Sequence, residues 1–208
     1  MKLFSKYSLR FLVTIFFIHL LSNTFASPQT ETIIFIRHGE KQVDKEFGQI
    51  NCKGLNRSLK LSKLLTEKYG IPNFIFAPNP NAKTGKNDSK YSYLRPLATI
   101  EPTAISLGLP VNTQFGLNDI SGIKKELLST QYSDSLIFVS WEHLALVKIV
   151  KEIFTEDTKN LSSEIPDWLS SDYDSIYKLN IVKSNYSYKI TFTKESQSLD
   201  GLNETCPN

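Results

Sequence analysis

The stretch Ile33-Ile34-Phe35-Ile36-Arg37-His38-Gly39-Glu40-Lys41 constrains this chain more than any other. Four consecutive apolar residues, mostly β-branched, suit a strand covered on both faces, as in a parallel sheet with helices packed on each side. The run stops abruptly at an arginine and a histidine. In open α/β sheets ligands bind beyond the carboxyl ends of the strands, which is where Arg37 and His38 fall. Gly39 then lets the backbone turn sharply and come close to a ligand, which a Cβ would hinder.

The rest of the chain continues the rhythm of strand and helix. Leu55, Leu59, Leu61, Leu64 and Leu65 predict a helix over Gly54 to Tyr69, stopped by Gly70 and Pro72. Phe74-Ile75-Phe76-Ala77 reads as a second strand. It runs into a polar loop, about Asn79 to Tyr93, at the end of the sheet where loops tend to carry function. A helix over 97–107, a short strand at Val111, a helix over 120–129, a central strand over 136–140 and a helix over 144–154 follow. Residues 175–182 and 186–192 alternate polar and apolar around Lys183-Ser184-Asn185, which predicts an antiparallel hairpin. The fold class is therefore α/β: a three-layer α/β/α sandwich whose mostly parallel sheet carries that hairpin at its edge. No repeat or linker divides residues 27–208, so they form one domain.

Residues 1–26 have the build of a secretory signal peptide: a basic start at Lys2, Lys6 and Arg10, an apolar core from Phe11 to Leu21, and the small-residue exit Thr24-Phe25-Ala26. That core is short against the roughly 20 residues that span a bilayer. Cleavage near Ala26 is expected, with a secreted or periplasmic location and no stable membrane insertion. The three basic residues of the signal account for the whole formal net charge of +3. Without them the chain is neutral, and the electrostatic case for a nucleic-acid partner fails. Cys52 and Cys206 are the only cysteines. In an oxidising compartment they could pair, fastening the C-terminal tail to the loop after the first strand. Their spacing, and that of the histidines, is not that of a metal site, so neither metal nor cofactor is expected. Nothing in the sequence speaks to oligomeric state.

Two further stretches carry chemistry. Tyr93-Leu94-Arg95-Pro96-Leu97-Ala98-Thr99 puts Arg95 at a helix start, with Pro96 in the first turn, where its missing N–H has no intrahelical partner. Ser140-Trp141-Glu142-His143 puts His143 just past another strand. Once His19 leaves with the signal, His38 and His143 are the only histidines. Together these stretches resemble the histidine phosphatase (phosphoglycerate mutase-like) superfamily. Its Arg-His-Gly triplet is matched by Arg37, His38 and Gly39, its arginine followed four residues later by threonine by Arg95 and Thr99, and its second histidine by His143. The superfamily usually has glycine before that second histidine; here Glu142 stands there. The motifs span about Thr32 to Val150.

The resemblance implies that His38 attacks phosphorus and becomes a phosphohistidine while Arg37, Arg95 and His143 bind the phosphoryl oxygens, with no metal required. Water then releases inorganic phosphate. The leaving group needs a proton, for which Glu142 is the first candidate and Asp119, in Gly116-Leu117-Asn118-Asp119, the alternative. Which face Glu142 takes stays open, because neighbouring strand residues alternate. Glu40 is a candidate supporting residue. The mutases carry an asparagine shortly after the nucleophile, whereas this chain has Lys41-Gln42-Val43-Asp44, and an exported mutase would have no evident substrate. A phosphatase is expected instead: an exported, histidine acid phosphatase-like phosphomonoesterase acting on a small phosphorylated substrate. Lys83, Lys86 and Lys90 could greet its anionic part, and Tyr91 and Tyr93 could stack on a ring. The alternative is an exported phosphate-ligand binding or sensing protein on the same scaffold, with little or no turnover.

Overall fold

The computed structural model describes residues 29–42, 47–84, 91–184 and 187–207. The expected signal peptide, and Lys86 and Lys90 of the expected specificity loop, lie outside the described residues.

Strand β1 (Gln29–Arg37) buries Ile33, Ile34, Phe35 and Ile36 completely, because successive residues face opposite sides of the sheet and both sides are covered. It is followed by α1 (Cys52–Tyr69), β2 (Phe74–Phe76), β3 (Lys83–Thr84), β4 (Tyr91–Ser92), α2 (Arg95–Leu107) and β5 (Val111–Asn112). Then come α3 (Ile120–Leu127), β6 (Leu136–Trp141), α4 (His143–Phe154), β7 (Ser175–Ser184) and β8 (Ser187–Ser196). Six strands form one sheet in the order β5-β2-β6-β1-β7-β8, and β3 and β4 pair apart from it. β5, β2, β6 and β1 run parallel, whereas β7 is antiparallel to β1 and β8 to β7. The predicted hairpin is thus the sheet's edge. It is longer than the polar–apolar alternation suggests, since Thr193–Ser196 of β8 still pair with Ser175–Lys178 of β7.

The two faces of β1 hold the layers together. Ile33 and Phe35 pack with Ile123 and Leu127 of α3 and with Leu146, Ile149 and Val150 of α4. Ile34 and Ile36 pack with Leu61 and Leu65 of α1 and with Ile100 and Ala104 of α2. Each such side chain, once fully buried, is worth roughly 1.5–3 kcal/mol. Among the described residues no helix is long and apolar enough to cross a membrane.

Gly39 is required for a different reason from the sharp turn expected of it. A Cβ on Gly39 would lie 2.9 Å from the Gly54 Cα, and one on Gly54 would lie 2.7 Å from the Glu40 carbonyl oxygen. The two glycines let the first turn of α1 sit backbone to backbone on the loop after β1. Asn51 fixes that contact: its N–H donates to the Glu40 carbonyl at 2.7 Å, and its side chain caps α1 by accepting from the Gly54 N–H at 2.9 Å.

The C-terminal tail closes over the same turn. Cys52 and Cys206, whose pairing the sequence leaves open, form a disulfide that spans 154 residues of sequence. In the chain-entropy view a loop of that size removes up to about 5 kcal/mol of denatured-state freedom. Asn56 adds two hydrogen bonds, to the carbonyls of Asn203 at 2.9 Å and Thr205 at 2.8 Å. Next to it the fully buried Arg57 grips Glu40 with two nitrogens, at 3.1 and 2.7 Å, and reaches Asp174 at 3.1 Å and Gln197 at 2.9 Å. A charge so deep is tolerated only when paired in this way. Glu40 therefore ties the loop after β1 to α1.

Candidate active site

The neighbouring ends of β1 and β6 deliver the site. The His38 N–H donates to the Trp141 carbonyl at 3.0 Å, so His38 and the Glu142-His143 pair leave the sheet side by side. Arg95 is the first residue of α2. The positive charges of Arg37, Arg95 and His143 all act on His38, which is buried to 2 % exposure. Four groups from three stretches far apart in sequence are thus brought together.

His38 is set up as a nucleophile by its surroundings. Its Nδ1 lies 2.8 Å from the Gly39 carbonyl, which only accepts, so Nδ1 carries the proton and Nε2 keeps the free lone pair. Burial, and then the charges of Arg37, Arg95 and His143, push the imidazole down to about 3, although the Gly39 bond opposes them. The ring is neutral throughout the physiological range.

Thr99 ties the two arginine-bearing motifs together. Its hydroxyl accepts from the Gly39 N–H at 2.8 Å and donates to the Arg95 carbonyl at 2.8 Å, while the side chain is fully buried. Thr99→Val keeps the shape but leaves the Gly39 N–H with no acceptor. A cost of about 1–3 kcal/mol is expected. Urea denaturation checks it, and an unchanged midpoint would show that the bond contributes nothing.

The two arginines are held without carboxylates. Arg37 donates from Nη1 to the carbonyls of Ser170 and Asp172 at 2.8 Å each, and more distantly to Leu169 at 3.4 Å. Its guanidinium lies 3.9 Å from the centre of the Tyr173 ring, and that of Arg95 lies 4.4 Å from the centre of Tyr93. Neither arginine forms an ion pair among the described residues. Both Nε–H groups are buried with no hydrogen-bond partner. Buried donors are rarely left so in native proteins, and an anion with several oxygens would satisfy both.

Glu142 explains why this chain needs no glycine before its second histidine. Its backbone is extended, with φ −81° and ψ 138°, and its Oε2 caps α4 by accepting from the N–H groups of Leu144 and Ala145 at 2.9 Å each. Oε1 lies against His143 Nδ1, a contact of charge proximity rather than of an aligned hydrogen bond. The negative charge of the carboxylate is felt by Arg37 and Tyr93. Burial and the Arg37 charge hold His143 below the ordinary histidine range, against the pull of Glu142. An arriving phosphoryl dianion favours the protonated form, in which both ring nitrogens donate.

Asp119 is not brought into this cluster. It is exposed, and its carboxylate caps α3 by accepting from the Gly122 N–H at 3.0 Å. In the expected specificity loop, Lys83 donates to the Ser92 hydroxyl at 3.0 Å and Tyr91 meets Phe47 edge-on at 5.2 Å between ring centres. Tyr93 is not a free stacking surface: it is only 6 % exposed and walls the site beside His38 and Arg95. Sequence reasoning missed Tyr173 altogether. It sits in an irregular stretch, and only the pairing of Ile176 with Ile36 places the residues before β7 beside Arg37 and His38.

No protein-family model matches the sequence, and no curated protein does. Solved structures are similar in shape. SixA from Nakamurella multipartitia, named as a phosphohistidine phosphatase, has a TM-score of 0.53 at 9% identity, over 80% of this chain and 95% of that one. A mycobacterial glucosyl-3-phosphoglycerate phosphatase reaches 0.54 at 10% identity, over 78% and 97% of the two chains. Its complex with inorganic phosphate reaches 0.53 at 10% identity, over 78% and 95%. At such identities the likeness lies in the arrangement of strands and helices. With β1, α2 and β6 delivering His38, Arg95 and His143 from that arrangement, this chain shares its fold with these solved phosphatases.

Proposed function

We propose that the protein is an exported phosphomonoesterase that works through a phosphohistidine on His38. The observation that carries this reading is the pair of buried, unpartnered Nε–H donors on Arg37 and Arg95 beside a neutral imidazole. A phosphoryl group bound there meets two uncancelled guanidinium charges and His143. The Nε2 lone pair of His38 forms a bond to phosphorus as the bond to the ester oxygen breaks. The departing oxygen keeps the bonding electrons and takes a proton, for which Glu142 is the candidate donor. Water then attacks the phosphohistidine and gives up its proton to the Glu142 carboxylate left by the first step, and inorganic phosphate leaves while the imidazole is restored. Export is supported by the signal-like residues 1–26 and by the disulfide, which suits an oxidising compartment.

The test is turnover of an aryl phosphate by the purified protein, with a search for a phosphoenzyme that is stable to alkali and labile to acid. Phosphate binding without turnover would replace this reading by that of a binding or sensing protein.

The proton donor has a test of its own. A sugar alkoxide is a poor leaving group and needs a proton, whereas a nitrophenolate departs without one. Glu142→Gln is expected to slow sugar phosphate hydrolysis about 100-fold and nitrophenyl phosphate hydrolysis far less. Asp119→Asn should slow both alike or neither. Equal slowing of both substrates by Glu142→Gln would leave Glu142 as the group that orients His143, and selective slowing by Asp119→Asn would give the role to Asp119.

A further inference from the structure

Both arginines of the site rest on tyrosine rings, and the same two rings flank His38. The ring centres of Tyr93 and Tyr173 lie 6.0 and 6.1 Å from that of His38. Tyr93 is buried and precedes α2, whereas Tyr173 is half-buried and belongs to the segment whose carbonyls hold Arg37. That segment is itself fixed. The Asp172 carboxylate accepts from the N–H groups of Asp174 and Ser175 at 3.0 and 2.9 Å, and Trp168 Nε1 donates to the Asp172 carbonyl at 2.8 Å. The contact of Tyr173 with the site is made by the face of its ring, whose centre lies 3.9 Å from the Arg37 guanidinium.

We propose that Tyr173 is a positioning residue: its ring face supports the Arg37 guanidinium and closes one side of His38, so that Arg37 presents its free edge to the phosphoryl group with its charge uncancelled. The effect on turnover rests on the phosphatase reading; the effect on Arg37 and His38 does not. A carboxylate in place of the ring would also hold Arg37, but it would compete with the phosphoryl oxygens for the same donors. An aliphatic side chain would cover the guanidinium without attracting it. An aromatic face attracts through its quadrupole and leaves the charge available to an anion. The carbonyls of Ser170 and Asp172 act in the same sense, since they too are dipoles rather than charges. The ring also keeps water from His38, whose cationic neighbours are Arg37 and Arg95. With the ring gone, water enters and Arg37 is freed to swing away, and both changes raise the imidazole toward its ordinary range.

Two variants of the full folded protein test this. Tyr173→Leu removes the ring and keeps apolar bulk; Tyr173→Phe keeps the ring and removes the hydroxyl. Two readouts need no turnover: calorimetric affinity for inorganic phosphate, and the His38 titration followed by nuclear magnetic resonance. Tyr173→Leu is expected to weaken phosphate binding about tenfold, to move the His38 titration up by at least about one unit, and to lower kcat/KM on an aryl phosphate at least about tenfold. Tyr173→Phe should restore the phosphate affinity and the titration of the unaltered protein. A folded Tyr173→Leu variant that binds phosphate and titrates like the unaltered protein overturns the inference, as do equal losses in both variants, which would place the role in the hydroxyl. If the unaltered protein fails to turn over while Tyr173→Leu still shifts the His38 titration, the phosphatase reading falls and the role of Tyr173 stands.

Discussion

Replacing His38 by alanine is expected to lower kcat by at least about 10⁴-fold and to abolish the phosphoenzyme. In the proposed mechanism no other described residue is placed to accept the phosphoryl. His143, the second histidine, has its Nδ1 against Glu142 and in the proposed mechanism binds the phosphoryl oxygens instead. Stopped turnover followed by acid and alkali treatment of the labelled protein checks both effects, and a label that survives His38→Ala would assign the nucleophile elsewhere. The same variant reports on acid stability. Folded His38 titrates at about 3 against an ordinary 6.5, so below pH 6.5 the unfolded chain takes up a proton that the folded one refuses. Stability therefore falls with pH from about 6.5 toward 3, and at pH 4 this one group costs about 3 kcal/mol. His38→Ala lacks that penalty. Its stability should drop less than that of the unaltered protein between pH 7 and pH 4, and equal drops in denaturant midpoint would contradict the buried, neutral imidazole.

Arg37→Ala should cost less in rate than His38→Ala but acts through three separate effects. Removing a positioned cation from the transferring phosphoryl group is expected to cost about 3 kcal/mol of transition-state stabilisation, or a little over 100-fold in kcat/KM. The second effect falls on the fold. The Ser170 and Asp172 carbonyls lose the donor that both reach at 2.8 Å, which destabilises the segment before β7 by about 1–3 kcal/mol. The His38 titration should rise as well, since Arg37 is one of the charges that depress it. Kinetics, urea denaturation and the imidazole titration separate the three effects. A variant that loses stability but keeps kcat/KM would make Arg37 a structural residue only.

The sandwich was legible in the sequence because the apolar run at Ile33–Ile36 and the alternating order of elements have few other solutions. His38, Arg37, Arg95 and His143 were legible for a related reason: each stands at the end or start of a regular element, where chain position gives spatial position. Side-chain direction was not. Glu142 could have faced either way until its role as the cap of α4 fixed it. Asp119 was drawn in by its place between α2 and β6, yet helix capping accounts for it. Gly39 carried a true signal with a different cause, since the tight partner is Gly54 of α1, 15 residues on. Tyr173 was invisible because its nearness to His38 follows from the antiparallel pairing of β7 with β1, a contact across about 140 residues that no local pattern announces.

That pairing bears on how the chain becomes a protein during synthesis. β1 is the first described strand to be made, yet its sheet neighbours are β6 and β7, about 100 residues or more downstream. This apolar run must therefore wait, unpaired, until most of the sequence has emerged, which makes it the natural target of any factor that holds nascent chains unfolded. Cys52 waits longer still for Cys206. A chain interrupted before Cys206 carries a free thiol that the finished protein lacks, so incomplete products are distinguishable from complete ones by alkylation alone.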